Sequence, residues 1–204
     1  VSEITPDLVV YGGTFDPPHA GHVACIDLVR AMWPQTRIKI IPGVNPPVAG
    51  GSIKTPTASF ADRMEMCRLA FPGLEVDAIE ERLPTPTYTY RTLEALAAAE
   101  PGVRLGWLLG TDQLEAFASW RNPQAILDLA DIVLVSRPGV QPVTTLPAGL
   151  RGRVLLIGSA DCPASSQHIR ACLSRGEPVP HGWLPVAIEH YLQRQPLYSK
   201  REIS

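Results

Sequence analysis

The chain has 204 residues, 45% of them hydrophobic and 19% charged, with a net charge of −2, enough to bury one good core. It holds no long basic run, which argues against a nucleic-acid partner. Its longest apolar runs, such as IVLV at 132–135, are far too short to cross a bilayer, and VSEITPD shows no basic-then-apolar pattern; no secretory signal, no membrane partner and a cytoplasmic address are expected.

In chain order, DLVVY (7–11) reads as a buried strand and AGHVACIDLVRAMW (20–33) as a helix, with Val23, Ile26, Val29 and Trp33 at helical spacing and Pro34 closing it. RIKIIP (37–42) is the next strand, and GVNPPVAGGSIKTPT (43–57) is a long loop rich in Gly and Pro. SFADRMEMCRLAF (59–71) restores a helical period, LEVDAI (74–79) alternates like a strand, and TYRTLEALAAAE (89–100) is an alanine-rich helix. VRLGWLLG (103–110) is apolar enough for a central strand. Asn122 before Pro123 predicts a cap and first turn for the helix PQAILDLA. DIVLVS (131–136) and RVLLIG (153–158) are further buried strands. SSQHIRACLSRG (165–176) is a helix with serine at its head and glycine at its tail, and LPVAIEHYLQ (184–193) is the last helix. Alternating strands and helices predict an α/β fold, a parallel sheet covered on both faces, in which ligands bind beyond the carboxyl ends of the strands.

At one such end stands YGGTFDPPHAGH (11–22). Gly12 and Gly13 let a ligand press against the backbone, and the two prolines stiffen the path into a helix beginning near His19. His19 and His22 then share one face of its first turn. Unpaired N–H groups, a partial positive charge and two imidazoles together suit phosphate oxygens. Neither GxGxxG nor GxxxxGK[ST] is present. The alternatives are a core histidine plus a surface one, or a zinc site with no evident third ligand. Cys25, Cys67, Cys162 and Cys172 form no CxxC and read as reduced buried thiols, and no protein-held metal is expected.

GGTFDPPHAGH resembles the HxGH motif of the nucleotidylyltransferase superfamily. TYTYRTL (87–93), LLGTDQLEAFASW (108–120), VSRPG (135–139), SSQHIR (165–170) and LPVAIEHYLQRQPLY (184–198) narrow the resemblance to bacterial nicotinate-nucleotide adenylyltransferases over nearly the whole chain. The resemblance implies a Rossmann-like, doubly wound fold and a single nucleotidylyltransferase domain over 1–204, with 177–204 as a C-terminal helical extension. It implies transfer of AMP from ATP to nicotinate mononucleotide, with Mg²⁺ accompanying the polyphosphate and no covalent intermediate.

By the same resemblance Gly12, Gly13, Thr14 and Phe15 line the ATP site, and His19, His22 and Arg170 are catalytic. Ser165 and Ser166 head a second anion cradle beside Arg170, with simple N-capping as the alternative. Gly110 and Asp112 end a strand at the ligand edge, Asp112 meeting ribose hydroxyls or capping the helix that follows. Trp120 stacks on the pyridine ring or is plain core. Tyr88 and Thr89 match the turn whose N–H groups hold the nicotinate carboxylate. Arg137 is a mononucleotide contact or a solvated cation.

Three departures stand out. Val48 and Ala49 replace the His-Lys of a usual Pro-Pro-His-Lys, leaving Lys54 to reach in. Arg91 stands where the family often has an acid. Ala164 and Gln167 replace a usual isoleucine and threonine. Other acceptors (nicotinamide mononucleotide, phosphopantetheine) share the chemistry. A class I aminoacyl-tRNA synthetase shares HxGH but is not matched by this chain's length or by any KMSKS-like motif, and a catalytically silent nucleotide-binding module is the different-class alternative.

Overall fold

The computed structural model describes residues 5–46, 55–136 and 154–199. Six strands form one sheet: β1 (Leu8–Gly13), β2 (Arg37–Pro42), β3 (Glu75–Val76), β4 (Leu105–Gly110), β5 (Ala130–Ser136) and β6 (Val154–Ser159). Every pairing is parallel and the order is β3-β2-β1-β4-β5-β6. That is the doubly wound Rossmann order, and its winding reverses between β1 and β4, where a crevice opens beyond the strand ends.

Side chains alternate along each strand, so each face needs its own apolar cover. Val9, Tyr11, Ile38, Ile40, Leu108 and Val133 point to one face. They pack against α1 (Ala20–Met32), α2 (Phe60–Ala70), α6 (Ser166–Arg175) and α7 (Val186–Arg194). Leu8, Val10, Ile41, Trp107, Leu109 and Ile132 point to the other, against α3 (Thr89–Ala99), α4 (Leu114–Phe117) and α5 (Pro123–Leu129). Leu184, Ile188, Leu192 and Tyr198, from the C-terminal segment, are buried in the first of these clusters. The Tyr191 hydroxyl donates to Asp62 of α2 at 2.8 Å. Among the described residues no helix is long and apolar enough to cross a membrane.

Most expected elements stand within two residues of their sequence bounds, and the exceptions have local causes. The alternation in 74–79 yields only a two-residue strand. Past Val76 the chain turns into a 3-10 segment, Ile79–Arg82, which buries Ile79 and Glu80. Asp77 meets the Lys39 amine at 3.2 Å, and Glu75 meets it at 3.0 Å. Asn122 makes no side-chain cap; it takes the left-handed conformation at φ 50°, while Pro123 opens the helix as expected. The serine and glycine signals of α6 are both realised: the Ser165 hydroxyl accepts the His168 N–H, and Gly176 closes the helix at φ 71°.

Candidate active site

His19 is the N-cap of α1, and His22 is its third residue. The two rings lie 3.7 Å apart, centroid to centroid. The His19 backbone N–H donates to Nδ1 of His22 at 3.1 Å. A ring nitrogen that accepts carries no proton, so in neutral His22 the proton sits on Nε2, which becomes a hydrogen-bond donor. Gly21 explains the glycine between the histidines. A Cβ there would come within 3.1 Å of the His19 ring, so an alanine would have to displace it.

Phe15 supports this pair from below. Its side chain is buried, at φ 49°, and meets the His22 ring edge-on at 5.0 Å. The sequence resemblance puts Phe15 at the ATP site; in the structure its ring belongs to the core, and Phe15 is not among the residues lining the cleft at the end of β1. Gly12 differs in a similar way. A Cβ on Gly12 would lie 2.3 Å from the Trp107 ring, so the glycine makes room for a neighbouring indole.

α6 docks onto the same loop. The Ser166 hydroxyl donates to the Pro17 carbonyl at 2.8 Å, and Arg170 Nη1 donates to the Asp16 carbonyl at 2.6 Å. The α6 tip and the His19 tip are thus tied to one short stretch, Asp16–Pro17. Ser165 is occupied as a cap by the His168 N–H at 3.2 Å, leaving its exposed edge toward solvent.

A cleft of about 740 Å³ opens at the end of β1, along Gly12–Thr14; His19, His22, Ser165, Ser166 and Arg170 are not among its lining residues. That volume falls within the usual range for small-molecule sites. Gly12, Gly13, Thr14, Tyr88, Thr89, Asp112 and Trp120 all line it, bringing together residues from distant parts of the chain. Gly110 ends β4 just before the 3-10 turn Thr111–Gln113 that carries Asp112. Tyr88 caps α3, whose first turn holds no acidic residue, so its N–H groups and dipole favour an anion. Trp120 packs on Phe117 at 5.5 Å. Arg137, Val48, Ala49 and Lys54 lie outside the described residues.

Arg91 is explained by its neighbours. Its guanidinium sits 5.7 Å from the centres of both the Tyr88 and Tyr90 rings and donates to the Tyr90 hydroxyl at 3.0 Å. It braces the turn that lines the cleft.

Four contributors have no signal in the chain's motifs. Trp107 lines the cleft floor. Arg63, 1% exposed, donates from Nη1 to the Thr14 and Gly43 carbonyls at 2.8 and 2.7 Å, joining the ends of β1 and β2. Burial pulls its guanidinium down from the ordinary arginine value. Glu80 accepts from the Val44 N–H at 3.1 Å and the Thr92 hydroxyl at 3.0 Å, fastening the loop after β2 to α3; burial pushes its carboxyl up. Asp16 is the fourth. The proline that follows it reveals an extended path but not where its carboxylate goes. Among the described residues, no group of three or more His, Cys, Asp or Glu side chains is placed to hold a metal ion.

With this geometry in hand, similarity to known proteins becomes informative. A cytidylyltransferase-like family model matches residues 10–172, from β1 into α6. A "Probable nicotinate-nucleotide adenylyltransferase" of Aeromonas salmonicida is 33% identical over 207 residues, covering 92% of this chain and 94% of its own length. A protein of the same name from Roseiflexus sp. strain RS-1 is 36% identical over 199 residues, covering 93% and 96%. Among solved structures, the Plasmodium falciparum nicotinic acid mononucleotide adenylyltransferase complexed with NaAD superposes with a TM-score of 0.73 at 17% identity. It covers 95% of this chain and 98% of that one, which supports the fold. Coverage this complete, at this identity, makes the chain a member of the nicotinate-nucleotide adenylyltransferase family.

Proposed function

We propose that this protein transfers AMP from ATP to nicotinate mononucleotide, giving deamido-NAD and pyrophosphate in NAD biosynthesis. The observation that carries the reading is that the α6 tip is tied to the Asp16–Pro17 stretch leading into the His19–His22 turn of α1, while Gly12–Thr14 of the same loop line a cleft shared with Trp120 and the α3 tip.

A phosphate oxygen of the mononucleotide attacks the α-phosphorus of ATP. The new P–O bond forms as the bond to pyrophosphate breaks. No side chain is needed as nucleophile, so the work is alignment and stabilisation of charge. Nε2 of His22 donates to phosphate oxygens as negative charge grows there, and His19 acts beside it. The α6 first turn and Arg170 hold the polyphosphate, while Gly13 and Thr14 approach it through backbone groups. Mg²⁺ enters as part of the ATP substrate, carried on its phosphates.

On the acceptor side, Trp120 offers an indole face to the electron-poor pyridine ring, worth about 0.5–1.5 kcal/mol beyond burial. The α3 tip at Tyr88 and Thr89 receives the nicotinate carboxylate, since N–H donors alone suit an acid better than a neutral amide. Asp112 accepts from ribose hydroxyls. Arg137 remains assigned to the mononucleotide, and the site belongs to a single cytoplasmic domain.

Purified protein supplied with ATP, Mg²⁺ and nicotinate mononucleotide should form deamido-NAD and pyrophosphate, with higher kcat/KM than on the amide mononucleotide. Turnover only with a different phosphorylated acceptor would overturn the substrate assignment. Nucleotide binding without product on any acceptor would overturn the enzyme assignment.

A further inference from the structure

Asp16 lies on the stretch that both helix tips share, yet its side chain turns away from the cleft and into the core, 1% exposed. A buried carboxylate must be met by donors or it is strongly destabilising. Here Oδ2 accepts the Thr57 N–H at 2.8 Å, and Oδ1 accepts the Ala58 N–H at 3.0 Å. Oδ1 also accepts the Tyr198 hydroxyl at 2.9 Å, from 182 positions along the chain. Arg170 is different. Its Nη1 makes its short hydrogen bond to the Asp16 carbonyl and forms only a long ion pair, 3.8 Å, with the carboxylate. That second distance is beyond hydrogen-bond range.

We propose that Tyr198 is a positioning residue for ATP binding, whose hydroxyl satisfies Asp16 so that Arg170 stays directed to the ATP phosphates instead of closing onto the carboxylate. The Tyr198 ring is buried in the core, so its hydroxyl cannot trade Asp16 for water. Burial and the facing carboxylate push that hydroxyl far above the ordinary tyrosine value, so it stays a donor. Arg170 is anchored through Nη1 to the Asp16 carbonyl, but its side chain keeps 24% of its surface exposed, which leaves room for the guanidinium to turn toward the carboxylate. Arg63 already feels the Asp16 charge but cannot close on it: both hydrogen bonds from its Nη1 go to backbone carbonyls, and it is sealed in place. Without the hydroxyl, Oδ1 keeps only the Ala58 N–H and Oδ2 only the Thr57 N–H, and the under-satisfied carboxylate draws the Arg170 guanidinium in from 3.8 Å. ATP loses that contact, while the acceptor cleft, which neither Arg170 nor Tyr198 lines, is untouched.

This rests on reading Arg170 as an ATP-phosphate contact. The test is a double-mutant cycle on the full chain, with Tyr198→Phe, Arg170→Ala and the pair. ATP affinity is read by calorimetry and both KM values by product assay. Tyr198→Phe keeps the ring's packing and should weaken ATP binding roughly tenfold, the order expected when a charge-assisted contact is lost. KM for the mononucleotide should stay unchanged. In the Arg170→Ala background, Tyr198→Phe should leave ATP affinity where it was.

Equal losses in both backgrounds, equal rises in both KM values, or a lower Tm with ATP affinity intact would overturn the proposal by making Tyr198 purely structural. If Arg170→Ala alone leaves ATP affinity unchanged, the premise fails and the proposal with it. Absence of any turnover by the unaltered protein would instead overturn the proposed function, and is read separately from the calorimetry.

Discussion

Gly12→Ala tests why the strand leading to the site ends in glycine. An ideal Cβ on Gly12 falls 2.3 and 2.5 Å from two ring carbons of Trp107. Carbon atoms in contact normally sit about 3.5–4.0 Å apart, so the indole would have to recede by more than an ångström. Trp107 is 4% exposed and belongs to the same buried apolar cluster as Val10, Leu109 and Ile126, with one edge on the cleft. Overpacking of this kind costs about 1–3 kcal/mol, and the size of the clash puts Gly12→Ala at the top of that range. For a protein of this length each kcal/mol moves Tm by about 2–4 °C, so a fall of roughly 6–12 °C is expected. Differential scanning calorimetry of the free protein measures it without any ligand. The same substitution in a Trp107→Phe background should cost far less, because the shorter ring vacates the space the methyl needs. An equal fall in both backgrounds, or no fall in either, would refute the steric argument and return Gly12 to a role in ligand approach alone.

His22→Ala removes one donor from the reacting phosphates and should lower kcat on the order of 10²-fold. Unchanged turnover with only weaker ATP binding would contradict its role. Trp120→Ala should chiefly raise KM for the mononucleotide, and a selective loss of ATP affinity would show that the two subsites are interchanged. Glu80 supplies a pH signature: burial raises its carboxyl pKa in the folded state, so the folded protein holds this proton more tightly than the unfolded chain. Its contribution to stability is therefore greatest in acid and is lost as pH rises from about 4.3, the unfolded value, through the raised folded value. Glu80→Gln should remove that decline, seen as a flatter dependence of Tm on pH than the unaltered protein shows across the same window. Identical slopes would refute it.

The frame of this molecule was readable because each strand is a short apolar run bounded by breakers, and because α6 marks its ends with Ser165 and Gly176. The residues proposed to meet phosphate stand out locally, in HxGH and SSxxxR, and α6 carries Ser166 and Arg170 against the Asp16–Pro17 stretch. What stayed hidden is contact between distant segments. Nothing near Asp16 in the sequence points to Tyr198, and nothing near Gly12 points to Trp107. Phe15 sits inside a motif read as ligand-lining, yet its ring is drawn into the core because Tyr11, His22 and Phe71 surround it. Asn122 looked like a cap by residue type, but the sharp turn before Pro123 uses its tolerance of the left-handed region instead.

The central claim is that two nucleotides are joined where the tips of α1 and α6 meet. A crystal structure with deamido-NAD bound tests it most directly. The account predicts the dinucleotide's phosphate bridge within hydrogen-bond reach of the His19 and His22 rings and the first turn of α6, with the pyridine ring on Trp120. A bridge lying elsewhere, with those rings facing solvent, would contradict it.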